Sequence, residues 1–125
     1  MNLLLDTHVL LWCLENNPKL SPKVRDTIAD GSNSVFVSAA VVWEMSIKES
    51  AGKLRVPENL EEVLEENYFE MLPITIRHAL ALSDLPAHHK DPFDRMLIAQ
   101  ALVENLTLVT RDTVISQYEV PVLQA

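Results

Sequence analysis

The sequence predicts an α/β protein built on a parallel sheet, and three observations carry that prediction. Short, branched-rich apolar runs alternate with amphipathic segments about five times along the chain. Helix-start signals sit between those runs, and the chain holds only two glycines, with no repeat or low-complexity stretch that would read as a linker. A strand-helix alternation of this kind favours helices on both faces of the sheet, with sites collecting at the carboxyl ends of the strands.

Taken in order, Leu3 to Leu5 reads as the first strand, with Asp6 or Thr7 placed to cap the helix that follows. Ser21-Pro22 is a cap followed by proline at the first helical position. Ser34 to Val37 is the second strand, and Ser38 precedes a helix from Ala39 to Ala51 that Gly52 stops. The acidic stretch from Glu58 to Glu70 reads as one helix, and Met71 to Ile74 as the third strand. Asp91-Pro92 opens a helix from Phe93 to Glu104. Leu106 to Val109 and Val120 to Leu123 are the last two strands, with a short helix expected at Thr113 to Gln117.

The 125 residues are expected to form one domain, and 48% hydrophobic content is enough for a real core. Disorder is excluded by this composition. The longest uncharged stretch, Gly31 to Trp43, falls well short of the roughly 18–20 apolar residues of a membrane span. No basic segment precedes Leu3 to Leu5 and Asp6 interrupts the apolar run, so a secretory leader is not expected. The single cysteine, Cys13, cannot form an internal disulfide, which fits a reducing cytoplasm. Ten Lys plus Arg against 18 Asp plus Glu leave a formal charge of −8, which at first sight argues against a phosphate-rich partner.

Four acids stand apart by position. Asp6 directly follows the first strand, and Asp112 lies three residues beyond the run Leu106 to Val109, so both belong to one rim of the sheet. Glu44 has Ala40, Val41, Ile47 and Lys48 as helical neighbours; Asp94 has Leu97, Ile98 and Ala101. Each also has a bland reading: a cap at Asp6, an ion pair of Glu44 with Lys48, a capping-box-like turn joining Asp91 and Asp94, a cap at Asp112. Four carboxylates at one rim would repel one another, and a divalent cation removes that penalty. Oxygen donors without a Cys or His cluster favour Mg²⁺ or Mn²⁺ over zinc, and metal-assisted phosphodiester hydrolysis is the chemistry such a site supports.

The segments Leu3-Leu-Leu-Asp6-Thr7-His8, Ser38-Ala-Ala-Val-Val-Trp-Glu44, His89-Lys-Asp91-Pro-Phe-Asp94-Arg95-Met-Leu-Ile-Ala-Gln100-Ala and Leu108-Val-Thr110-Arg-Asp112 together resemble the PIN-domain ribonucleases, specifically the VapC toxins of type II toxin–antitoxin pairs. The resemblance covers essentially the whole chain, and its Asp-Pro-Phe-Asp-Arg run is the most specific part. It implies a three-layer α/β/α sandwich with a central parallel sheet of four to five strands. It also implies an Mg²⁺- or Mn²⁺-dependent endoribonuclease, a homodimer, and inhibition by a cognate VapB-like antitoxin. Asp6, Glu44 and Asp94 match the core acids of the family and Asp112 the more variable fourth. On this reading Asp6 and Asp94 hold the essential metal, Glu44 completes its shell directly or through water, and Asp112 serves a second metal or the attacking water. Thr7, Asp91, Arg95 and Thr110 are expected beside the metal or the RNA: Asp91 as a helix cap that orients the site, Arg95 on phosphate or on Asp91, Thr110 as a small polar neighbour of the metal.

Lys48, Lys90 and Arg111 are candidate phosphate contacts. His88 and His89 read as loop residues, and Trp12 and Trp43 as core or dimer surface. Two other functional classes compete. A receiver-like phosphoacceptor would need adjacent acids after the first strand and a lysine after the fifth, but Thr7 follows Asp6 and no lysine follows Lys90. A PIN-like module that only binds a partner would not need all four acids. The charge itself also divides: Glu58, Glu61, Glu62, Glu65, Glu66 and Glu70 form one acidic block. Setting aside those six and the four rim acids leaves eight acids against ten bases. The net charge therefore predicts binding of RNA that depends on metal rather than no binding.

Overall fold

A computed structural model describes residues 1–125 and shows a five-stranded sheet, every pair of neighbouring strands parallel, in the order β3-β2-β1-β4-β5. The strands are β1 (Asn2–Leu5), β2 (Ser34–Ser38), β3 (Glu70–Leu72), β4 (Thr107–Thr110) and β5 (Val122–Gln124). Six α-helices connect and cover them: α1 (Thr7–Leu14), α2 (Pro22–Ala29), α3 (Ala39–Ser50), α4 (Leu60–Glu66), α5 (Ile76–Ala81) and α6 (Pro92–Glu104). Single 3₁₀ turns follow at Leu82–Asp84 and Ile115–Gln117. This is the α/β class expected, with five strands at the upper end of the expected number.

Parallel strands covered on both faces must be apolar on both, and β1, at the centre, shows it: Leu3, Leu4 and Leu5 are all fully buried. Leu4 pairs with Phe36 of β2 on one side and Leu108 of β4 on the other. Val9 and Leu10 of α1, Val41 and Met45 of α3, and Leu97 and Ile98 of α6 join these strand residues in one hydrophobic core. No helix is long and apolar enough to cross a membrane.

Several boundaries depart from expectation for local reasons. The third strand is Glu70–Leu72 rather than Met71 to Ile74. Pro73 has no N–H to continue the ladder, and Ile74 is exposed. The acidic stretch is not one helix: α4 ends at Glu66, the chain turns through Tyr68 at φ 58°, and Glu70 enters β3. Helix α5 has no counterpart in the expectations. Its capping box joins Thr75 to His78, where glutamate or glutamine is usual. The last strand starts at Val122, after Pro121, and the short helix expected at Thr113 to Gln117 is the 3₁₀ turn Ile115–Gln117. Gly52, at φ +73°, follows α3 as its stop.

Candidate metal centre at the carboxyl ends of β1 and β4

The strand order reverses across β1: β2 and β3 lie to one side, β4 and β5 to the other. Connections leaving β1 and β4 diverge at such a point and open a crevice beyond their carboxyl ends. Asp6 is the first residue beyond β1, and its backbone N–H donates to the Val109 carbonyl at 3.1 Å, continuing the β1–β4 ladder by one step. Its side chain caps α1, Oδ1 accepting from the Val9 N–H at 2.8 Å, while Oδ2 accepts from the Thr110 hydroxyl at 2.5 Å. Thr110 is fully buried at the end of β4 and also accepts from the Asp112 N–H at 3.0 Å, so one hydroxyl links two of the expected acids.

Around this point lies a cavity of about 250 Å³ lined by Asp6, Thr7, His8, Glu44, Lys48, Asp91, Asp94 and Asp112, without one apolar residue. Glu44 reaches it from α3, and both its oxygens are engaged. Oε1 accepts from the Thr7 hydroxyl at 2.5 Å and Oε2 from Lys48 Nζ at 2.6 Å. The ion pair expected from spacing is therefore present, and Lys48 is committed to Glu44 rather than standing free. Asp91 caps α6 as expected, its Oδ1 accepting from the N–H groups of Phe93 at 2.8 Å and Asp94 at 3.1 Å. Removing that cap in Asp91→Ala should cost about 1 kcal/mol of stability, typical of N-cap losses. Urea denaturation near pH 5, where the neighbouring Asp94 is mostly neutral, checks this; an unchanged midpoint would deny Asp91 its capping role.

Crowding shows in the ionisation of these groups. Burial, then the like charges of Asp91, Asp6 and Glu44, push the Asp94 carboxyl up to about 7, against the lowering influence of His89. Burial also raises Asp6, in spite of the hydrogen bonds from Thr110 and Val9. At Asp112 burial is outweighed by hydrogen bonds from His89 and the Val114 N–H, which hold it below the usual carboxylate range.

Two expectations need correction. The Arg95 guanidinium reaches neither the cavity nor the Asp91 carboxylate. It donates to the carbonyls of Pro86 at 2.9 Å, Leu82 at 3.3 Å and His89 at 3.4 Å and to the Tyr118 hydroxyl at 3.3 Å, tying the loop before α6 to the body. His89, read as a plain loop residue, is part of the site: Nε2 lies 2.7 Å from Asp112 Oδ2 and 3.1 Å from Asp94 Oδ2. No local signal marks it, because Asp112 is 23 residues away in sequence and the contact depends on the loop path. Of the two tryptophans read as core or dimer surface, Trp12 packs against the core and Trp43 lies at the surface. Arg111 stacks on Trp12 with its guanidinium carbon 4.5 Å from the ring centre, and Trp43 is 59% exposed with its ring edge-on to Phe93.

The donor set fits a hard divalent cation. Asp6, Asp94 and Asp112 present carboxylate oxygens to a polar cavity, and two of them, Asp6 and Asp94, are raised first by burial and then by like charge, a penalty on the ionised form that a cation would relieve. Glu44, already paired with the Lys48 ammonium, fits contact through water.

A five-stranded parallel α/β fold with an acidic pocket at its topological switch point is the class that fold and pocket define. The family profile described as PIN domain matches residues 3–121, and the chain belongs to that family. The fold is shared with known structures at low identity. Crystal structures of VapBC2 from Rickettsia felis bound to a DNA fragment from their promoter (TM-score 0.75, 16% identity) and of DNA-bound VapBC from Salmonella typhimurium (0.71, 19%) are similar over 100% and 99% of this chain and 99% and 98% of theirs. A toxin–antitoxin complex from Klebsiella pneumoniae is similar at a TM-score of 0.64 and 17% identity, over 97% of this chain and 95% of that one. No curated protein matches the sequence closely enough to count as a relative.

Proposed function

We propose that this protein is an Mg²⁺- or Mn²⁺-dependent endoribonuclease and the toxin of a VapBC-like type II toxin–antitoxin pair. The observation that carries the reading is the convergence of Asp6, Glu44, Asp91, Asp94 and Asp112 on one cavity with no apolar lining. Such a concentration of carboxylates opposes folding and is explained by a task. Asp6, Asp94 and Asp112 would hold the cation. When bound, it neutralises charge building on the scissile phosphate and acidifies a water.

The chain's own residues set the geometry. Thr7 and Lys48 lock Glu44 from both sides, so its carboxylate offers remaining lone pairs in a fixed direction and can orient a water. Thr110 fixes Asp6 in the same way. A recessed pocket suits a splayed single strand or loop better than a duplex.

Two surfaces support the partners. An apolar groove of about 650 Å³, lined by Val42, Trp43, Leu64, Met71 and Leu72, is rimmed by Glu58 and Glu61. An acidic rim around an apolar floor suits an amphipathic basic segment, the chemistry expected of a VapB-like antitoxin. On α5, Ile76 and Leu80 are 80% and 68% exposed one turn apart, an apolar strip suited to a second copy in a homodimer.

Purified protein should cleave RNA with Mg²⁺ or Mn²⁺ and stop with EDTA. Asp6→Asn should lower the rate by about 10³-fold, the equivalent of several kcal/mol of lost charge stabilisation. Folded, metal-saturated protein that is inert on several RNA pools would leave only a partner-binding role.

A further inference from the structure

We infer that His8 forms a nucleobase subsite at the rim of the acidic cavity, where one splayed base of a single-stranded RNA stacks on the imidazole ring. This rests on the reading of the cavity as the place where RNA is cut, and adds to it the group that receives a nucleotide beside the scissile bond.

His8 stands in the first turn of α1, two residues beyond Asp6, and is exposed where it lines the cavity. Of the eight residues that line the cavity, the other seven have side chains engaged in hydrogen bonds or ion pairs within the chain; the His8 ring has none. What it does meet is an aromatic ring. Trp12, one helical turn on, lies with its ring centre 5.9 Å away and its plane tilted by 30°, within the range of an offset stack.

Trp12 is a fixed support. It packs against the hydrophobic core, and the Arg111 guanidinium carbon lies 4.5 Å from its ring centre. Arg111 is itself held: Nε donates to the Ala125 carbonyl at 3.1 Å and Nη2 to the Lys19 carbonyl. Its partners there are carbonyls rather than acids, so its charge is not cancelled and gives this side of an acidic rim the sign an RNA strand needs.

Together these features define the ligand. With Trp12 against one side of the imidazole, the exposed side is left for a flat aromatic group, and a base laid on it extends a stack already two rings deep. The cavity offers a base no other surface of this kind, because it has no apolar lining, and Trp43 and Phe93 pair edge-on outside it. A base inside a duplex has both faces covered by its neighbours, so the subsite selects an unpaired nucleotide.

Steady-state cleavage of a short single-stranded RNA carrying the wild-type cut site tests this. Wild type, His8→Ala and His8→Phe are compared on the intact RNA and on two RNAs made abasic on either side of the cut. On intact RNA, His8→Ala should raise KM about tenfold, as loss of one base–aromatic stack does, with much less change in kcat. Phenylalanine keeps an aromatic face without a charge or an exchangeable proton, and His8→Phe should recover most of that loss. One abasic RNA should raise the wild-type KM by a similar factor, and on it His8→Ala should lose nothing more. His8→Phe as poor as His8→Ala would make the imidazole act by charge or proton transfer, and additive losses on both abasic RNAs would separate the ring from either base; each overturns the proposal, as does His8→Ala equal to wild type. If neither abasic RNA raises the wild-type KM, the proposal is overturned whether or not the variants fold. Should wild type cut no RNA, the endoribonuclease reading itself fails and the subsite with it.

Discussion

Asp94→Asn is expected to abolish RNA cleavage and, in EDTA above neutral pH, to make the protein more stable than wild type. The two effects share one cause. With its carboxyl raised to about 7 from an ordinary 3.8, the folded protein holds a proton on Asp94 that the unfolded chain has already released. Stability from this group is therefore full below about pH 4, falls as pH rises through the window from 4 to 7, and is gone above it. The gap corresponds to up to about 4 kcal/mol at 1.36 kcal/mol per pH unit.

Asparagine is neutral at every pH and close in shape, so the variant keeps at pH 8 what wild type has only in acid. Activity goes the other way. On the proposed reading, loss of a carboxylate that would hold the cation should cost about 10³-fold or more in rate. Saturating Mg²⁺ should restore wild type, by about 2.7 kcal/mol at a hundredfold excess over Kd, and do little for the variant. Urea denaturation in EDTA near pH 5 and near pH 8, beside a cleavage assay, reads all of this. A variant less stable than wild type at pH 8 would show that burial and like charge do not strain Asp94, and a variant that cleaved at full rate would remove Asp94 from the chemistry.

The acids of this pocket are legible in the sequence because each is marked by its immediate neighbours. Asp6 follows a strand of three leucines, Glu44 and Asp94 border apolar helix faces, and Asp112 follows an apolar run. Strand ends and helix faces are local features, so all four acids can be assigned to one rim, and the folded chain brings all four to one cavity. The contacts of Arg95 and His89 are not legible in the same way. Their partners are set by the path of the loop from Leu85 to Asp91, which has no periodicity to read. Helix α5 gives no sequence signal because six residues are too few to show a pattern and its cap borrows a histidine. At the end of β3 two local signals conflict: the apolar run continues to Ile74, but the missing N–H of Pro73 ends the ladder at Leu72.

Gln100 lies five residues beyond the Asp-Pro-Phe-Asp-Arg run, yet its weight is structural, and its substitution should be among the more damaging to stability. It is fully buried on α6. Oε1 accepts from the Ser38 hydroxyl at 2.5 Å, and Nε2 donates to the Pro73 carbonyl at 3.3 Å and His78 Nδ1 at 3.4 Å. His78, also fully buried, accepts at Nδ1 from the Thr75 N–H at 3.0 Å and donates from Nε2 to Glu104 at 2.9 Å. One amide thus joins α6 to the end of β2, the exit from β3 and α5, and no buried side-chain polar atom in the protein is without a partner.

Gln100→Leu keeps the volume but leaves the Ser38 proton and the Pro73 carbonyl without their partner. At about 1–3 kcal/mol for each buried group left unsatisfied, a loss of about 3 kcal/mol is expected. Ser38→Ala alone gives up the cap on the Ala40 N–H as well, at about 1 kcal/mol. Because the double variant removes both ends of one hydrogen bond, its loss should be at least about 1 kcal/mol smaller than the sum of the two single losses. Additive losses in urea denaturation would show that the bond contributes nothing of its own. The network also bears on the site: Ser38 is the N-cap of α3, the helix that carries Glu44. Gln100→Leu should therefore lower cleavage even at temperatures where it stays folded, by loosening the end of α3 that aims Glu44 between Thr7 and Lys48.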